Sequence, residues 1–398
     1  LRRIRQLGLT SYIYHGAEHS RFGHSLGVMH LAGEAVKRIM SANEDIVREQ
    51  FGWSPGEFKE QSKRFVLVAR LAGLLHDIGH APFSHSGEEA LFRERIRHED
   101  YSASIIRETH IGEIIDQRLG QDGITRHDVA KVIREGIHEA AFIPELLSSS
   151  WDVDKMDYLL RDSHYCGVEY GKFDLARVIG SLLVRRDEDT GNLVLAIEQG
   201  GYHALEAFIL ARYFMFTQVY FHDTRRAYDL VLADFIKELL REEYGEGLYP
   251  SPDQLNEYMK WDDHYVLQRA AEKVREGAKG LAWMILNRQH PRVVYETLPH
   301  PDPAVAKKAF RILPSEVRAQ FPDVKFWPDV ATDHPEKFKQ EDIYIKREGE
   351  PSKWESFGYH SYALKGLQAI DQVRLYADVG DDEELRDRIR ESCRQLMA

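Results

Sequence analysis

The sequence predicts a mainly α-helical fold with a small β-hairpin and a smaller C-terminal α/β lobe. Apolar residues recur at helical spacing through most of the first 180 residues, and prolines interrupt the chain after residue 290. Between these parts, a turn-rich stretch near residue 190 separates two β-rich segments. We therefore expect one domain at 1–290, with the hairpin near 182–198, and the lobe at 291–398.

Hydrophobic periodicity predicts the helices of the larger domain. Apolar residues on one helical face predict a helix over 28–39, and residues 65–75 are apolar almost all round, which indicates a buried central helix. The first ten residues read as the middle of a helix, so we expect the native chain to have further residues before them. The other helices of this domain are expected at 101–120, 125–142, 203–243 and 264–288.

The β-rich segments are short. Leu182–Arg186 and Leu193–Glu198 flank Asp187–Asn192, which has the composition of a turn, so the three predict a β-hairpin. The lobe after residue 290 mixes strand-like and helical segments. Its strands are expected at 324–327, 342–345 and 372–376, and its helices at 303–311, 335–340 and 383–396.

Composition narrows the classes of function. The net charge of −12 argues against broad nucleic-acid binding, which needs a basic surface. The two cysteines, Cys166 and Cys393, exclude a cysteine-based zinc site and fit a reducing compartment, so we expect a cytoplasmic protein. No apolar run reaches the ~20 residues that a membrane-spanning helix needs, so no membrane association is expected.

The strongest chemical signal is the pair His76 and Asp77 at the end of the predicted central helix. Adjacent residues point in different directions on a regular helix, so both can face one metal ion only where the helix ends. An isolated His-Asp pair is a weak signal, but His24 upstream and Asp154 downstream would complete a set of two imidazoles and two carboxylates. Mixed nitrogen and oxygen ligands suit Mn, Fe, Co, Ni or Zn, with positions left open for water and phosphate oxygen.

This order of residues resembles the HD-domain phosphohydrolase superfamily, and longer motifs resemble its dNTP triphosphohydrolase (dGTPase-like) branch. The resemblance covers roughly residues 1–235, and it implies that the larger domain is a helical HD phosphohydrolase domain. The lobe after residue 290 adds little to it. The motifs that carry the resemblance are Gln6–Gly8, Arg21–Val28, His76–His85, Asp152–Asp162 and Arg225–Tyr228.

The resemblance implies a role for each matching position. In such enzymes His85 would protonate the leaving oxygen, and Tyr158 would pack on the sugar and leave no room for a 2′-hydroxyl. The implied metal ligands are His24, His76, Asp77 and Asp154. The implied active-site histidines are His80, His85 and His98. Glu88 is a further candidate catalytic residue because its spacing from His85 would place a carboxylate beside that imidazole. The implied substrate contacts are Gln6, Leu7, Arg21, Lys155, Tyr158, Asp162 and Tyr228, with Gln6 and Asp162 at the sugar 3′-hydroxyl and Arg21 and Lys155 at the phosphates.

The spacing of these residues is compatible with those roles. Asp154, Tyr158 and Asp162 follow at i, i+4 and i+8, so one helix face could hold a metal ion at one end and a sugar at the other. His85 lies three and four residues before Glu88 and Glu89. A carboxylate beside an imidazole fixes its tautomer and favours its protonated form, as a general acid requires.

One position departs from the pattern. Some members of the branch place an arginine eight residues before the tyrosine that matches Tyr228, where it binds the terminal phosphate, but this chain has Tyr220 there. The position of the scissile bond therefore stays open. The candidate replacements are His222, Arg225, Arg226 and Arg212.

The expected reaction is hydrolysis of a dNTP to deoxynucleoside and triphosphate, with Mg²⁺ accompanying the substrate phosphates. The alternatives are another phosphoester (a nucleoside monophosphate, a cyclic dinucleotide or single-stranded nucleic acid) and a nucleotide sensor without catalysis. The resemblance also implies a homo-oligomer, either a dimer or a tetramer. Asp152 and Asp157 are expected to cap and solvate a helix. Surface or packing roles are expected for His15, His19, His30, His110 and His127.

Overall fold

The computed structural model of the chain describes residues 1–88, 91–333, 343–349 and 353–398. Helices make up most of this part of the chain, and the strands form two small sheets, so the predicted fold class is confirmed. The helices are α1 (Arg21–Ala42), α2 (Glu44–Phe51), α3 (Pro55–Leu75), α4 (His98–Glu108), α5 (His110–Leu119), α6 (Arg126–Glu135), α7 (Phe142–Leu147), α8 (Val153–Cys166), α9 (Leu175–Gly180), α10 (Tyr202–Met215), α11 (Asp223–Tyr244), α12 (Leu255–Tyr258), α13 (Asp263–Arg275), α14 (Leu281–Leu286), α15 (Pro303–Arg311), α16 (Leu313–Gln320), α17 (Phe357–His360), α18 (Tyr362–Gly366) and α19 (Glu383–Met397).

Several long helices predicted from periodicity are divided in the structure. The helix predicted over 101–120 is interrupted at Thr109, whose hydroxyl caps α5 by accepting the Ile111 N–H. One turn of π-helix, Phe216–Tyr220, ends α10 before α11 begins. The helices predicted over 125–142 and 264–288 likewise become the pairs α6 and α7, and α13 and α14. Residues 1–9 form turns, so the expectation of a helix interior there is wrong.

The first sheet contains the predicted hairpin with its predicted bounds. β1 (Leu182–Arg186) pairs antiparallel with β2 (Leu193–Glu198), and Leu182 lies opposite Ile197. The second sheet is antiparallel and has the order β3-β7-β4. The later strands are β3 (Arg292–Glu296), β4 (Phe326–Asp333), β5 (Tyr344–Lys346), β6 (Trp354–Ser356) and β7 (Ile370–Ala377).

Two strands of the C-terminal part extend the hairpin sheet. β5 pairs in parallel with β2, and β6 pairs antiparallel with β5, which gives the order β1-β2-β5-β6. The two predicted regions therefore share one sheet, and the division at residue 290 stays a prediction. The helix expected at 335–340 lies outside the described residues, as do Asp342 and Glu89.

Two hydrophobic clusters lie on either side of the stretch that carries the His-Asp pair. The larger cluster includes the buried faces of α1 and α3, which pack along each other, and the last residue of α3, Leu75, belongs to it. The second cluster is built on α11, α13 and α14 and takes in Ala81 and Phe83. Residues 76–80 thus run from one core to the other, and both ends of this stretch are anchored by apolar burial. No helix among the described residues is long and apolar enough to cross a membrane.

Candidate active site

The ends of three helices bring the four predicted metal ligands together. His24 lies in the first turn of α1, His76 and Asp77 follow the last residue of α3, and Asp154 lies in the first turn of α8. His24 Nε2 is 2.8 Å from Asp154 Oδ1 and 3.5 Å from Asp77 Oδ2. His76 Nε2 is 3.1 Å from Asp77 Oδ1 and 3.5 Å from Asp154 Oδ1. Two imidazole nitrogens and two carboxylates therefore converge on one point.

Both imidazoles turn Nε2 toward this point because Nδ1 is bonded elsewhere. His24 Nδ1 is 2.8 Å from Asp157 Oδ2, and His76 Nδ1 donates to the Gly73 carbonyl at 2.9 Å. The buried His76 Nε2 has no hydrogen-bond partner among the described residues. An unpartnered imidazole nitrogen beside two carboxylates fits a divalent cation, and His24, His76 and Asp154 are close enough to share one.

The carboxylates favour positive charge at this point. Burial would lower the pKa of His24, but hydrogen bonds to Asp154 and Asp157 outweigh it and raise the pKa to about 10. Burial would raise the pKa of Asp77, but the Arg21 guanidinium and neighbouring histidines hold it well below its usual range. A metal ion that binds here would take the place of the proton on His24.

The close approach of α1 and α8 lets Asp157 reach the far side of His24. A Cβ at Gly27 would lie 1.8 Å from Asp157 Oδ1, so only glycine permits this approach. Arg161 holds the same carboxylate with bonds of 2.7 and 2.9 Å. Asp157 is therefore more than the helix-capping residue that the sequence predicts, because its carboxylate fixes the tautomer and orientation of His24.

A second cluster of three histidines and a glutamate adjoins the first. His80 joins them, since its Nε2 is 3.1 Å from Asp77 Oδ1 and its Nδ1 is 2.5 Å from Glu88 Oε1. His98 stacks on His80 with ring centroids 3.9 Å apart, and burial together with the charge of His80 lowers the pKa of His98 well below its usual range. His85 Nδ1 lies 3.4 Å from Glu88 Oε2, and the His85 side chain is 71% exposed. His85 is thus the accessible imidazole of this cluster.

Both clusters open into a cavity of about 440 Å³, which is large enough for part of a nucleotide. Tyr228 is not among the residues that line it. This tyrosine is 2% exposed and packs edge-on against Tyr12, with ring centroids 5.1 Å apart. Predicted site residues and candidate phosphate contacts that do line the cavity are Gln6, Leu7, Arg21, His76, Asp77, His80, His85, His98, Asp154, Lys155, Tyr158, Asp162, Arg225 and Arg226. Asp152 and Tyr220 line it as well.

The arginine and lysine side chains on the described cavity wall are paired with carboxylates. Lys155 Nζ, for example, is 2.8 Å from Asp152 Oδ2, and both side chains are largely buried. A phosphate chain that enters must compete with these carboxylates or arrive with its own cation. The pairs are Arg21 with Asp77, Lys155 with Asp152, Arg225 with Asp229 and Arg226 with Asp329.

Asp162 accepts hydrogen bonds from two side chains at the far end of α8. His19 Nε2 is 2.8 Å from Oδ1, and the Tyr220 hydroxyl donates to Oδ2 at 2.7 Å. Tyr220, which stands where some relatives place an arginine, is therefore bonded to Asp162 and brings no positive charge to the cavity. The nearby Gln6 Oε1 is buried and has no partner among the described residues.

Two family matches cover the part of the chain that forms these clusters. The HD domain family matches residues 21–162, and the HD associated region matches residues 173–307. The chain belongs to the HD phosphohydrolase superfamily. His24, His76, Asp77 and Asp154 all lie within the matched HD domain.

Relatives of this HD domain occur in bacteria and eukaryotes. The chain is 36% identical over 279 residues to the uncharacterized protein YwfO of Bacillus subtilis, covering 67% of this chain and 58% of that one. It is 33% identical to the deoxynucleoside triphosphate triphosphohydrolase SAMHD1 homolog of Dictyostelium discoideum, covering 60% and 44%. The chain thus spans about half the length of these curated relatives.

A solved structure agrees with the fold over nearly the whole chain. The crystal structure of a phosphohydrolase from Bacteroides thetaiotaomicron superposes with a TM-score of 0.68 at 25% identity, and it covers 95% of this chain and 92% of that one. The similarity includes the part after residue 307, which neither family match covers.

Sequence reasoning missed two side chains that hold predicted site residues. His19 is buried, which agrees with the packing role expected for it, but the sequence did not predict its hydrogen bond with Asp162. No sequence signal connects them, because 143 residues separate the pair. Asp157 did carry a signal, since it lies one helical turn after Asp154 and can therefore approach the same metal cluster.

Proposed function

We propose that the chain is a metal-dependent phosphohydrolase that hydrolyses deoxynucleoside triphosphates to deoxynucleoside and triphosphate. The observation that carries the proposal is the convergence of His24, His76, Asp77 and Asp154 beside an open cavity. The substrate class is supported by the similarity to the deoxynucleoside triphosphate triphosphohydrolase SAMHD1 homolog of Dictyostelium discoideum. The four side chains would hold one divalent transition metal ion, Mn, Fe, Co, Ni or Zn, and Mg²⁺ would accompany the phosphates. When bound, an ion in such a site acts as a Lewis acid toward phosphate and water.

Arg21 and Lys155 would bind the phosphate oxygens and neutralise the charge that builds up as the bond breaks. Two observations support this role for Arg21 and Lys155. Both side chains lie on the cavity wall, and their ion pairs with Asp77 and Asp152 restrict their motion before substrate enters. Restriction of this kind lowers the entropy lost on binding. Mg²⁺ carried by the substrate would offset the repulsion between these carboxylates and the phosphates.

His85 would protonate the leaving oxygen. Two observations support this role for His85. Its side chain is exposed and lines the cavity, and Glu88 lies near one ring nitrogen and leaves the other for the substrate. His80 and His98 would act with it, since His98 stacks on His80 and His80 shares Glu88. The proton would thus come from the accessible histidine of the cluster.

Tyr158 would pack on the sugar and discriminate against a 2′-hydroxyl, with Leu7 beside it. Gln6 and Asp162 would read the 3′-hydroxyl. Support for Gln6 is its unpartnered buried Oε1, which needs a donor such as a hydroxyl group. Asp162 already accepts two hydrogen bonds, but each carboxylate oxygen keeps a further lone pair for a sugar hydroxyl.

A second candidate substrate is a nucleoside monophosphate. Tyr220 favours it, because a neutral side chain bonded to Asp162 cannot bind a terminal phosphate as an arginine does. Long polyanions such as single-stranded nucleic acid are disfavoured by the net charge of −12.

A product assay tests the proposal. The purified protein is incubated with each dNTP and NTP in Mn²⁺, and products are separated by anion-exchange chromatography. We expect deoxynucleoside with intact triphosphate, and little turnover of NTPs. Asp77→Ala should lose both metal, measured by elemental analysis, and turnover. Orthophosphate or pyrophosphate as product would contradict the proposed scissile bond, and full turnover by Asp77→Ala would contradict the metal site.

The assembly and location stay proposals as well. A dimer or tetramer is expected from the resemblance, and light scattering on the purified protein would measure it. A cytoplasmic location is supported by the two cysteines, which are both buried and unpaired.

A further inference from the structure

Two loops form one side of the cavity, and they touch each other. Residues 5–8 contribute Gln6 and Leu7, and residues 83–86 contribute Ser84 and His85. A Cβ at Gly8 would lie 2.9 Å from Ser86 Oγ, so the loops are in close contact. Phe83 and Ser84 both have left-handed backbone conformations, with φ of 59° and 61°. Such residues cost about 1–3 kcal/mol each, so surrounding contacts must hold the second loop in place.

One buried carboxylate outside the cavity binds both loops. Asp263, the first residue of α13, accepts the Phe83 N–H on Oδ1 at 2.7 Å and the Arg5 N–H on Oδ2 at 2.9 Å. It is 1% exposed, and its partners lie 180 and 258 residues away in sequence. Asp263 is therefore the point where three distant parts of the chain meet.

The contacts continue from these loops to a cavity side chain. The Ser84 hydroxyl donates to the Arg5 carbonyl at 2.7 Å and accepts from Arg21 Nε at 2.5 Å. The other end of the Arg21 guanidinium pairs with Asp77. The direction of Arg21 thus depends on Ser84, whose own position depends on the two loops.

We propose that Asp263 is a positioning residue, whose carboxylate joins the loops 5–8 and 83–86 and thereby orients Arg21 toward substrate phosphates. This inference rests on the proposed phosphohydrolase function. Asparagine cannot replace the carboxylate fully, because it supplies one acceptor oxygen and turns its amide NH₂ toward the second backbone N–H. Burial raises the pKa of Asp263 to about 6, so assays at pH 8 keep it ionised.

The test compares Asp263→Asn with the neighbouring Asp262→Asn. Asp262 caps α13 by accepting the Tyr265 N–H at 2.9 Å and pairs with Arg3, so its substitution makes the same charge change without a contact to either loop. Asparagine also keeps the capping ability. Three properties are measured: metal content, kcat and KM for dNTP in Mn²⁺, and the affinity for inorganic tripolyphosphate by calorimetry.

We expect Asp263→Asn to reduce kcat/KM and tripolyphosphate affinity by about 10- to 100-fold at unchanged metal content, since misplaced contacts cost about that much. Asp262→Asn should match the wild type. Ser84→Ala should reproduce the defect, and the double variant should be no worse than the more impaired single variant, because both act through Arg21. If Asp263→Asn does not fold, Ser84→Ala alone carries the test, and wild-type behaviour would then overturn the proposal.

Unchanged tripolyphosphate affinity in Asp263→Asn would overturn the positioning role, as would an equal loss in Asp262→Asn or additive effects in the double variant. Failure of the proposed function looks different. If the wild type turns over no dNTP, yet Asp263→Asn still weakens tripolyphosphate binding, the substrate is wrong and the positioning role stands.

Discussion

Substitution of Asp157 tests whether His24 is held for a metal ion by the carboxylate behind it. The contact is 2.8 Å long and buried, and Arg161 prevents the carboxylate from turning away. A hydrogen bond to a charged group contributes about 1.5–3 kcal/mol. Changes to such outer contacts usually weaken metal affinity or activity by about 10- to 100-fold, and a factor of ten corresponds to about 1.4 kcal/mol. The free energy of this hydrogen bond therefore agrees with the expected loss of metal affinity.

We therefore expect Asp157→Asn to weaken metal affinity about tenfold and Asp157→Ala about 100-fold. Asparagine keeps a neutral acceptor for the His24 Nδ1–H, whereas alanine leaves it without one and also frees Arg161. Affinity is measured for Mn²⁺ and Zn²⁺ by competition with a chromophoric chelator at pH 8. Turnover of both variants should recover when the metal is saturating, since Asp157 does not line the cavity.

The matched control is Asp116→Asn. Asp116 also pairs with an arginine, at 2.6 Å from Arg126 Nε, but it holds no imidazole and does not line the cavity. The Asp116→Asn variant should bind metal with the affinity of the wild type. Wild-type affinity in Asp157→Ala would refute the reasoning, because His24 would then need no carboxylate to present its Nε2.

Substitutions at Tyr220, Glu88 and Asp263 test three other contacts of the site. Tyr220→Phe removes a donor from the buried Asp162, so the free energy of unfolding measured with urea should fall by about 1–3 kcal/mol, and no change would mean that the hydrogen bond contributes nothing. Glu88→Gln should lower kcat by about 10- to 100-fold at normal metal content, because it weakens the hold on His80 and His85; loss of metal would contradict this. Burial raises the pKa of Asp263 from 3.8 to about 6, so the folded state binds the proton more tightly than the unfolded state. The free energy of unfolding of the wild type, relative to that of Asp263→Asn, should therefore fall by about 3 kcal/mol as the pH rises from 4 through 6. A difference between the two unfolding free energies that does not change with pH would contradict this prediction.

Local patterns predicted the fold elements that local physics decides. The hairpin has its predicted bounds because alternation and turn composition act over neighbouring residues. The helix interruption at Thr109 was not predictable from periodicity, since the apolar face continues through it and only the side-chain cap and packing end α4 there. The same holds for the π-helical turn at Phe216–Tyr220, where the apolar pattern is unbroken in the sequence.

The candidate ligands were predictable for a different reason. His76 and Asp77 lie at a helix end that the sequence marks with Gly79 and Pro82, and the resemblance to HD domains supplied the remaining two. Long-range partners of other site residues and loops were not predictable, because contacts such as His19 with Asp162 or Asp263 with Arg5 join positions 143 and 258 residues apart. A single sequence carries no record of such pairs.

The geometry of Asp77 decides which variants can separate the two clusters of the site. Its Oδ2 faces Arg21 and His24, while its Oδ1 faces His76 and His80. One carboxylate therefore belongs to both the metal cluster and the histidine cluster, and Asp77→Ala must disturb both at once. Asp157 and Glu88 each contact a single cluster, so their variants distinguish loss of metal from loss of proton transfer, and a shared defect in both would place the coupling at Asp77.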